Sequence, residues 1–201
     1  MATDNGLRTE TNLTIRELSP QDLAVVLAVQ RESFGSAQWL ESDYRRLAEE
    51  PGGFVLVAEL SDPVTTAKET RGSGAKDDGP RATDAMRSPE IAGFAAFHRV
   101  LDEAELRNLA VRPSCRRRGL GRALLDEAHR RLRQQGVERV YLEVRVGNAP
   151  AIQLYQAAGY GCESIRKDYY QGPDEDACAM SIALPELLPP LSEAGGGRPG
   201  N

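Results

Sequence analysis

The chain has 201 residues, of which 27% are charged, and a formal net charge of −5 at neutral pH. That length gives one domain as the natural expectation, with enough chain for a sizeable core. The acidic balance excludes a generally cationic nucleic-acid binder, and no apolar run is long enough to span a bilayer.

The first residues hold no hydrophobic signal core. A cytoplasmic protein is therefore expected, with no membrane and no direct nucleic-acid partner, and a monomer is expected as well. Cys115, Cys162 and Cys178 are odd in number and lack CxxC or Cys/His metal spacing, so they read as reduced thiols and no metal is expected.

Residues 1–12 are polar and read as a loose N-terminus. The single folded domain is expected over 13–184. Leu13 to Leu18 reads as a short strand, and Ser19-Pro20 as a helix start, with a cap residue followed by proline. That helix carries Leu23, Val26, Leu27 and Phe34. A second helix over about 38–49 holds Trp39, Leu40, Tyr44 and Leu47, and Pro51-Gly52-Gly53 ends it. Phe54 to Leu60, nearly all apolar, reads as a central strand. Residues 61–89 are rich in Gly, Pro, Thr, Ser, Asp and Lys, with almost nothing to bury, and read as a disordered insertion between two strands. The Gly/Pro stretch 185–201 reads as a flexible tail.

Ile91 to Val100 and Glu105 to Val111 form a hairpin that turns at Leu101-Asp102-Glu103-Ala104. The strand stops at Pro113, a basic turn follows, and two glycines open a helix that runs to about Gln135. Leu120, Leu124, Ala128 and Leu132 recur every fourth residue along one face, and Gly136 stands at the C-cap. The first N–H groups of a helix lack intrahelical partners and sit at its positive end, so they bind anions. With Arg116, Arg117, Arg118 and Arg122 around Gly119 and Gly121, the turn reads as a diphosphate seat. An isolated G-x-G is more often a plain solvated turn. A dinucleotide loop with Glu143 on the ribose does not fit either, because Arg112 to Arg118 separate strand from glycines and Leu124 takes the third small-residue slot.

Arg139 to Val146 reads as a strand whose Val140, Leu142, Val144 and Val146 share one face, leaving Tyr141, Glu143 and Arg145 on the other. Asn148 caps a short helix ending near Ala158. Strands over 160–166 and 177–184, joined by 167–176, complete a mixed-sheet α/β (α+β) domain with helices on both faces. Taken alone, Glu143 reads as a strand carboxylate paired with an arginine such as Arg145, Tyr155 as a core aromatic, and Asn148 as a cap.

The run Val111-x-Pro113-x-x-Arg116-Arg117-x-Gly119-Leu120-Gly121-x-x-Leu124 resembles the acyl-CoA signature of the GNAT superfamily of N-acetyltransferases. Leu142-Glu143-Val144-Arg145, Asn148-Ala149-x-Ala151-Ile152-x-Leu154-Tyr155, Gly159-Tyr160, Arg166-Lys167-Asp168-Tyr169-Tyr170 and Asp176-Ala177 are similar to its RimI-type subgroup. Those enzymes acetylate the N-terminal alanine of the eighteenth small-subunit ribosomal protein. The resemblance is dense over about 91–184 and weaker over 13–60.

The resemblance implies a mostly antiparallel central sheet and acetyl-CoA as co-substrate. It implies that Leu109, Ala110 and Val111 pair with the pantetheine arm, and that the N–H of Val111 polarises the thioester carbonyl. It places Arg116, Arg117, Arg118, Gly119, Leu120, Gly121 and Arg122 on the pyrophosphate, and Asn148 near the pantetheine. Glu143 falls at the general base and Tyr155 at the general acid, with Tyr169 and Tyr170 covering the peptide. An α-amine has a pKa near ~7.7–8.0 against ~10.4 for lysine, so its deprotonation costs roughly 3–4 kcal/mol less at neutral pH. Glu103 and Glu105 are rival bases. Two other functions share parts of this pattern. A GNAT enzyme acting on lysine or a small amine has the same cofactor residues, whereas a non-catalytic acyl-CoA sensor has no need of Glu143 and Tyr155 together.

Overall fold

The computed structural model describes residues 12–33, 38–61 and 89–185. Residues 1–11 of the expected loose N-terminus, residues 62–88 of the expected insertion, Phe34 and the tail from 186 lie outside the described residues. In chain order the elements are β1 (Asn12–Glu17), α1 (Leu23–Glu32), α2 (Glu41–Glu49), β2 (Gly53–Ser61), β3 (Glu90–Val100) and β4 (Glu103–Val111). They continue with α3 (Leu120–Gln134), β5 (Arg139–Arg145), α4 (Ala149–Ala157), β6 (Gly161–Tyr170) and β7 (Glu175–Ala183). The strand order is β1-β2-β3-β4-β5-β7-β6. β4 pairs with β5 in parallel, while β1–β2, β2–β3, β5–β7 and β6–β7 are antiparallel. The mixed, mostly antiparallel sheet is thus the expected one.

The residues group into two compact units, interleaved in sequence. One holds the chain up to His98 together with Leu106–Glu127, and the other holds Arg99–Glu105 together with the chain from Ala128.

In the first unit, Leu23, Val26 and Val29 of α1 and Tyr44 and Leu47 of α2 are buried in one cluster with Val55, Val57, Ile91 and Phe94 of the strands. α1 is entered through a single 3-10 turn, Pro20–Asp22. Asp22 accepts from the Ser19 amide (2.7 Å) and hydroxyl (2.8 Å) and from both terminal nitrogens of Arg16 (2.7 and 3.1 Å). Chiefly through Arg16, its carboxyl is held at about 2. The second helix begins at Glu41 and not at residue 38, because Leu40 is extended, with its amide donating to Asp43 Oδ2 at 2.8 Å. Trp39 is instead fixed by Gln30, whose Oε1 also accepts from Tyr44 (2.6 Å) and Asn108 (3.3 Å).

The second unit buries Val140, Leu142 and Val144 on one face of β5, as the alternation requires. Val146 does not join them: the strand stops at Arg145, and Val146 is exposed in the turn that follows. The expected joining segment 167–176 is mostly strand, since β6 runs on to Tyr170 and leaves only residues 171–174 as the turn. Cys162 and Cys178, with Cα atoms 6.3 Å apart across β6 and β7, form a disulfide. The reading of three reduced thiols therefore holds only for Cys115, which is buried.

Candidate active site

The residues assigned to the cofactor before Asn148 all lie in the first unit. Along β4, Leu106, Asn108 and Ala110 are buried, while Leu109 and Val111 are half-buried on the opposite face. The registered pairs with β5 are Glu103 with Arg139, Ala104 with Val140 and Glu105 with Tyr141, so Leu109 to Val111 lie beyond that ladder. The Val111 carbonyl accepts from Ser33 Oγ and from Arg116 Nε, each at 3.2 Å. β3 approaches so closely here that a Cβ on Gly93 would stand 2.9 Å from the Ala110 carbonyl oxygen. Glycine at position 93 is therefore what allows this close approach, a feature the sequence reading missed. Its signal is a glycine inside an otherwise apolar strand.

After Val111 a 3-10 turn, Pro113–Cys115, leads into Arg116, Arg117 and Arg118, all exposed. Arg117 and Gly119 both have left-handed backbone, with φ of 63° and 83°. A Cβ on Gly119 meets nothing within 4 Å, so glycine is used there for its conformation. The helical ladder opens with Ala123 N donating to Gly119 O at 2.9 Å, which leaves the preceding amides as the N-terminal donors of α3. Leu120 is buried and anchors the helix, with Gly121 as its second residue. Arg122 is less available than its neighbours, for its Nε donates to both oxygens of Asp126 at 2.8 and 2.9 Å. The turn has the exposed cations and helix-end donors that an anionic diphosphate requires.

The proposed chemical groups lie in the second unit. Glu143 projects from the half-buried face of β5, between buried Leu142 and Val144. It is paired not with Arg145 but with Arg166 of β6, which donates to Oε1, and with Tyr169, whose hydroxyl donates to Oε2 at 2.6 Å. That bond raises the Tyr169 pKa, so the phenol stays a donor. Arg145 donates instead to Glu175 Oε2 (3.0 Å) and the Pro173 carbonyl (3.1 Å), and lies 4.3 Å from the Tyr170 ring centroid. Glu175 Oε1 also accepts from the Gly147 amide at 2.7 Å, which fixes the turn into α4. At that helix start Asn148 Oδ1 accepts from Ala151 N at 3.3 Å. Two turns on, Tyr155 is buried and meets the Tyr160 ring at 5.8 Å, and burial raises its pKa. Tyr160 in turn shares a 2.8 Å hydrogen bond with buried His129. Of the rival bases, exposed Glu103 accepts from Tyr141 at 3.1 Å, and Glu105 is half-buried. Among the described residues no group of three or more His, Cys, Asp or Glu is placed to hold a metal ion.

The mixed, mostly antiparallel sheet in this strand order is the fold class of the solved acetyltransferase structures on which the chain superposes. The sequence profile of the acetyltransferase (GNAT) family matches residues 26–160, and the chain belongs to that family. It is 46% identical over 96 residues to the [ribosomal protein bS18]-alanine N-acetyltransferase of Escherichia coli K12, a stretch covering 48% of this chain and 65% of that protein. The chain thus matches just under two thirds of the length of that relative. A Bacillus subtilis (strain 168) protein provisionally named for the same activity is 29% identical over 177 residues, 88% of this chain and 99% of that one. The crystal structure of the Escherichia coli ribosomal-protein-S18-alanine N-acetyltransferase superposes with a TM-score of 0.65 at 28% identity, covering 90% of this chain and 99% of that one. Arabidopsis thaliana NAA60 in complex with acetyl-CoA shares the fold, with a TM-score of 0.66 at 19% identity over 86% of this chain and 99% of that one.

Proposed function

We propose that this chain is a cytoplasmic protein N-terminal acetyltransferase, moving the acetyl group of acetyl-CoA to the α-amine of an N-terminal alanine. The substrate is the eighteenth small-subunit ribosomal protein, a choice supported by what the bacterial relatives are named for. The observation that carries the reading is the turn from Val111 into α3, with its exposed arginines and left-handed Arg117 and Gly119. Arg116, Arg117, Arg118 and the first amides of α3 bind the diphosphate, with Arg122 as a lesser contributor. The backbone of Leu109 to Val111 pairs with the pantetheine arm, and Asn148 is a further cofactor contact. Acetyl-CoA supplies an activated thioester, and Val111 N–H draws charge from its carbonyl.

Glu143, directly or through a water, takes the proton that the α-ammonium must lose before it can attack. Tyr155, kept neutral by burial, donates to the departing sulfur. Tyr169 and Tyr170 line the approach of the peptide. Both substrates are held together, so no acyl-enzyme forms.

The test is acetyl-CoA turnover by thiol release, with mass spectrometry of products, on a peptide with a free N-terminal alanine, its N-blocked twin and a lysine-only peptide. Turnover is expected on the first alone and should vanish in Glu143→Gln. Equal acetylation of the lysine peptide would remove the N-terminal specificity, and tight CoA binding without turnover would favour an acyl-CoA sensor.

A further inference from the structure

One carboxylate outside this machinery organises the segment that touches the base. In β6–β7 pairing, Arg166 stands opposite Ala177 and Tyr170 opposite Glu175, so Lys167, Asp168 and Tyr169 together face the single residue Asp176. This is a bulge of two extra residues. Asp168 within it has left-handed backbone, φ 51°, a region that non-glycine residues seldom occupy. Asp176 meets both of the preceding bulge residues: Oδ1 accepts from the Asp168 amide at 3.0 Å and Oδ2 from Lys167 Nζ at 2.6 Å. Its own backbone carbonyl accepts from Val146 N at 3.1 Å, just past the end of β5.

The bulge has a consequence for Glu143. Residues three apart in a regular strand point to opposite faces, so Arg166 and Tyr169 could not both reach one carboxylate. Here they do, one on each oxygen of Glu143. We infer that Asp176 is a positioning residue for the reaction: by holding the Lys167–Tyr169 bulge it sets the Tyr169 hydroxyl on Glu143 and fixes the orientation of the base. This rests on the reading of Glu143 as the general base.

The test is steady-state kinetics on the alanine peptide for Asp176→Ala, Asp176→Asn, Tyr169→Phe and the double variant Asp176→Ala/Tyr169→Phe, with Glu143→Gln in parallel. Asp176→Ala is expected to lower kcat about 10- to 100-fold, the scale of a small misplacement of a reacting group, with KM for acetyl-CoA unchanged. Asp176→Asn keeps an acceptor for the Asp168 amide and should retain most of kcat. The double variant should fall no further than Tyr169→Phe alone, because the two act through one contact. Additive losses, or a KM for acetyl-CoA that moves with kcat, would show a general structural role and overturn the inference. If Asp176→Ala does not fold, Asp168→Val carries the same test, since a β-branched residue resists the left-handed region, and an unchanged kcat there overturns it too. Activity surviving in Glu143→Gln overturns the base itself. Loss in Glu143→Gln with normal kcat in Asp176→Ala overturns the positioning role alone.

Discussion

Tyr155 and Asp22 are both shifted by their surroundings, in opposite directions and with different consequences. Burial disfavours the phenolate of Tyr155, so its pKa lies above the ordinary value near 10. Its proton is therefore retained across the whole neutral and mildly alkaline range. Tyr155→Phe is expected to reduce kcat by roughly 10²- to 10⁴-fold, the usual range for a positioned proton donor. The kcat–pH profile of the unaltered protein should show no loss from phenol ionisation below about pH 10. A descending limb near pH 8 that disappears in Tyr155→Phe would keep the phenol as the donor but refute its upward shift by burial. Asp22 is depressed from 3.8 to about 2, mainly by Arg16. A depressed carboxyl stabilises the folded state above its unfolded pKa, and that contribution fades as pH falls from about 4 towards 2. Asp22→Asn should therefore lower the urea midpoint at pH 7 and leave a much smaller difference at pH 2.

At the scale of elements, the start of α3 and the end of β4 make separable predictions. An alanine at Gly119 meets no neighbour but must hold φ near 83°, at a cost of about 1–2 kcal/mol. If the turn relaxes to avoid that cost, the diphosphate seat deforms. Gly119→Ala is expected to raise KM for acetyl-CoA several-fold while kcat changes little. Gly93→Ala has the opposite signature, because its Cβ would press on the Ala110 carbonyl and displace the strand residue that precedes Val111. There kcat should fall as well, as the carbonyl-polarising amide shifts; comparing both kinetic constants for the two variants checks the distinction.

The same elements show what could be read in the chain. The face Leu120, Leu124, Ala128 and Leu132 was legible because a helix period needs only local spacing, and all four are buried. The bulge in β6 was not legible, since its register depends on Asp176, eight residues beyond Asp168 and across a turn. The arginine that meets Glu143 is Arg166 and not Arg145, for a similar reason. The partner of Arg145, Glu175, lies 30 residues away, and only the folded hairpin brings it close.

For the molecule as a whole, the cofactor reading can be checked apart from turnover. A ligand that binds only the folded state stabilises it by about 2.7 kcal/mol at a free concentration of 100 Kd. For a chain of this size that corresponds to a rise in Tm of roughly 5–11 °C. Acetyl-CoA should give such a rise, and the pair Arg117→Ala and Arg118→Ala should reduce it, more so at low salt, where exposed charges are less screened. An unchanged melt with saturating acetyl-CoA would contradict the assigned seat. Glu143→Gln, which leaves that seat intact, should melt with the same increment.

The bulge of β6 also bears on how copies of this protein coexist in a crowded solution. β6 is the last strand in the order of the sheet, and Gly161 to Tyr169 are all exposed along it. A flat strand in that place offers a row of backbone donors and acceptors to any other chain that drifts against it. The left-handed kink at Asp168 and the charges of Arg166 and Lys167 interrupt that row. A substitution that straightened the strand would thus be expected to do harm twice, misaiming a tyrosine and uncovering an adhesive edge, so that lost solubility accompanies lost rate.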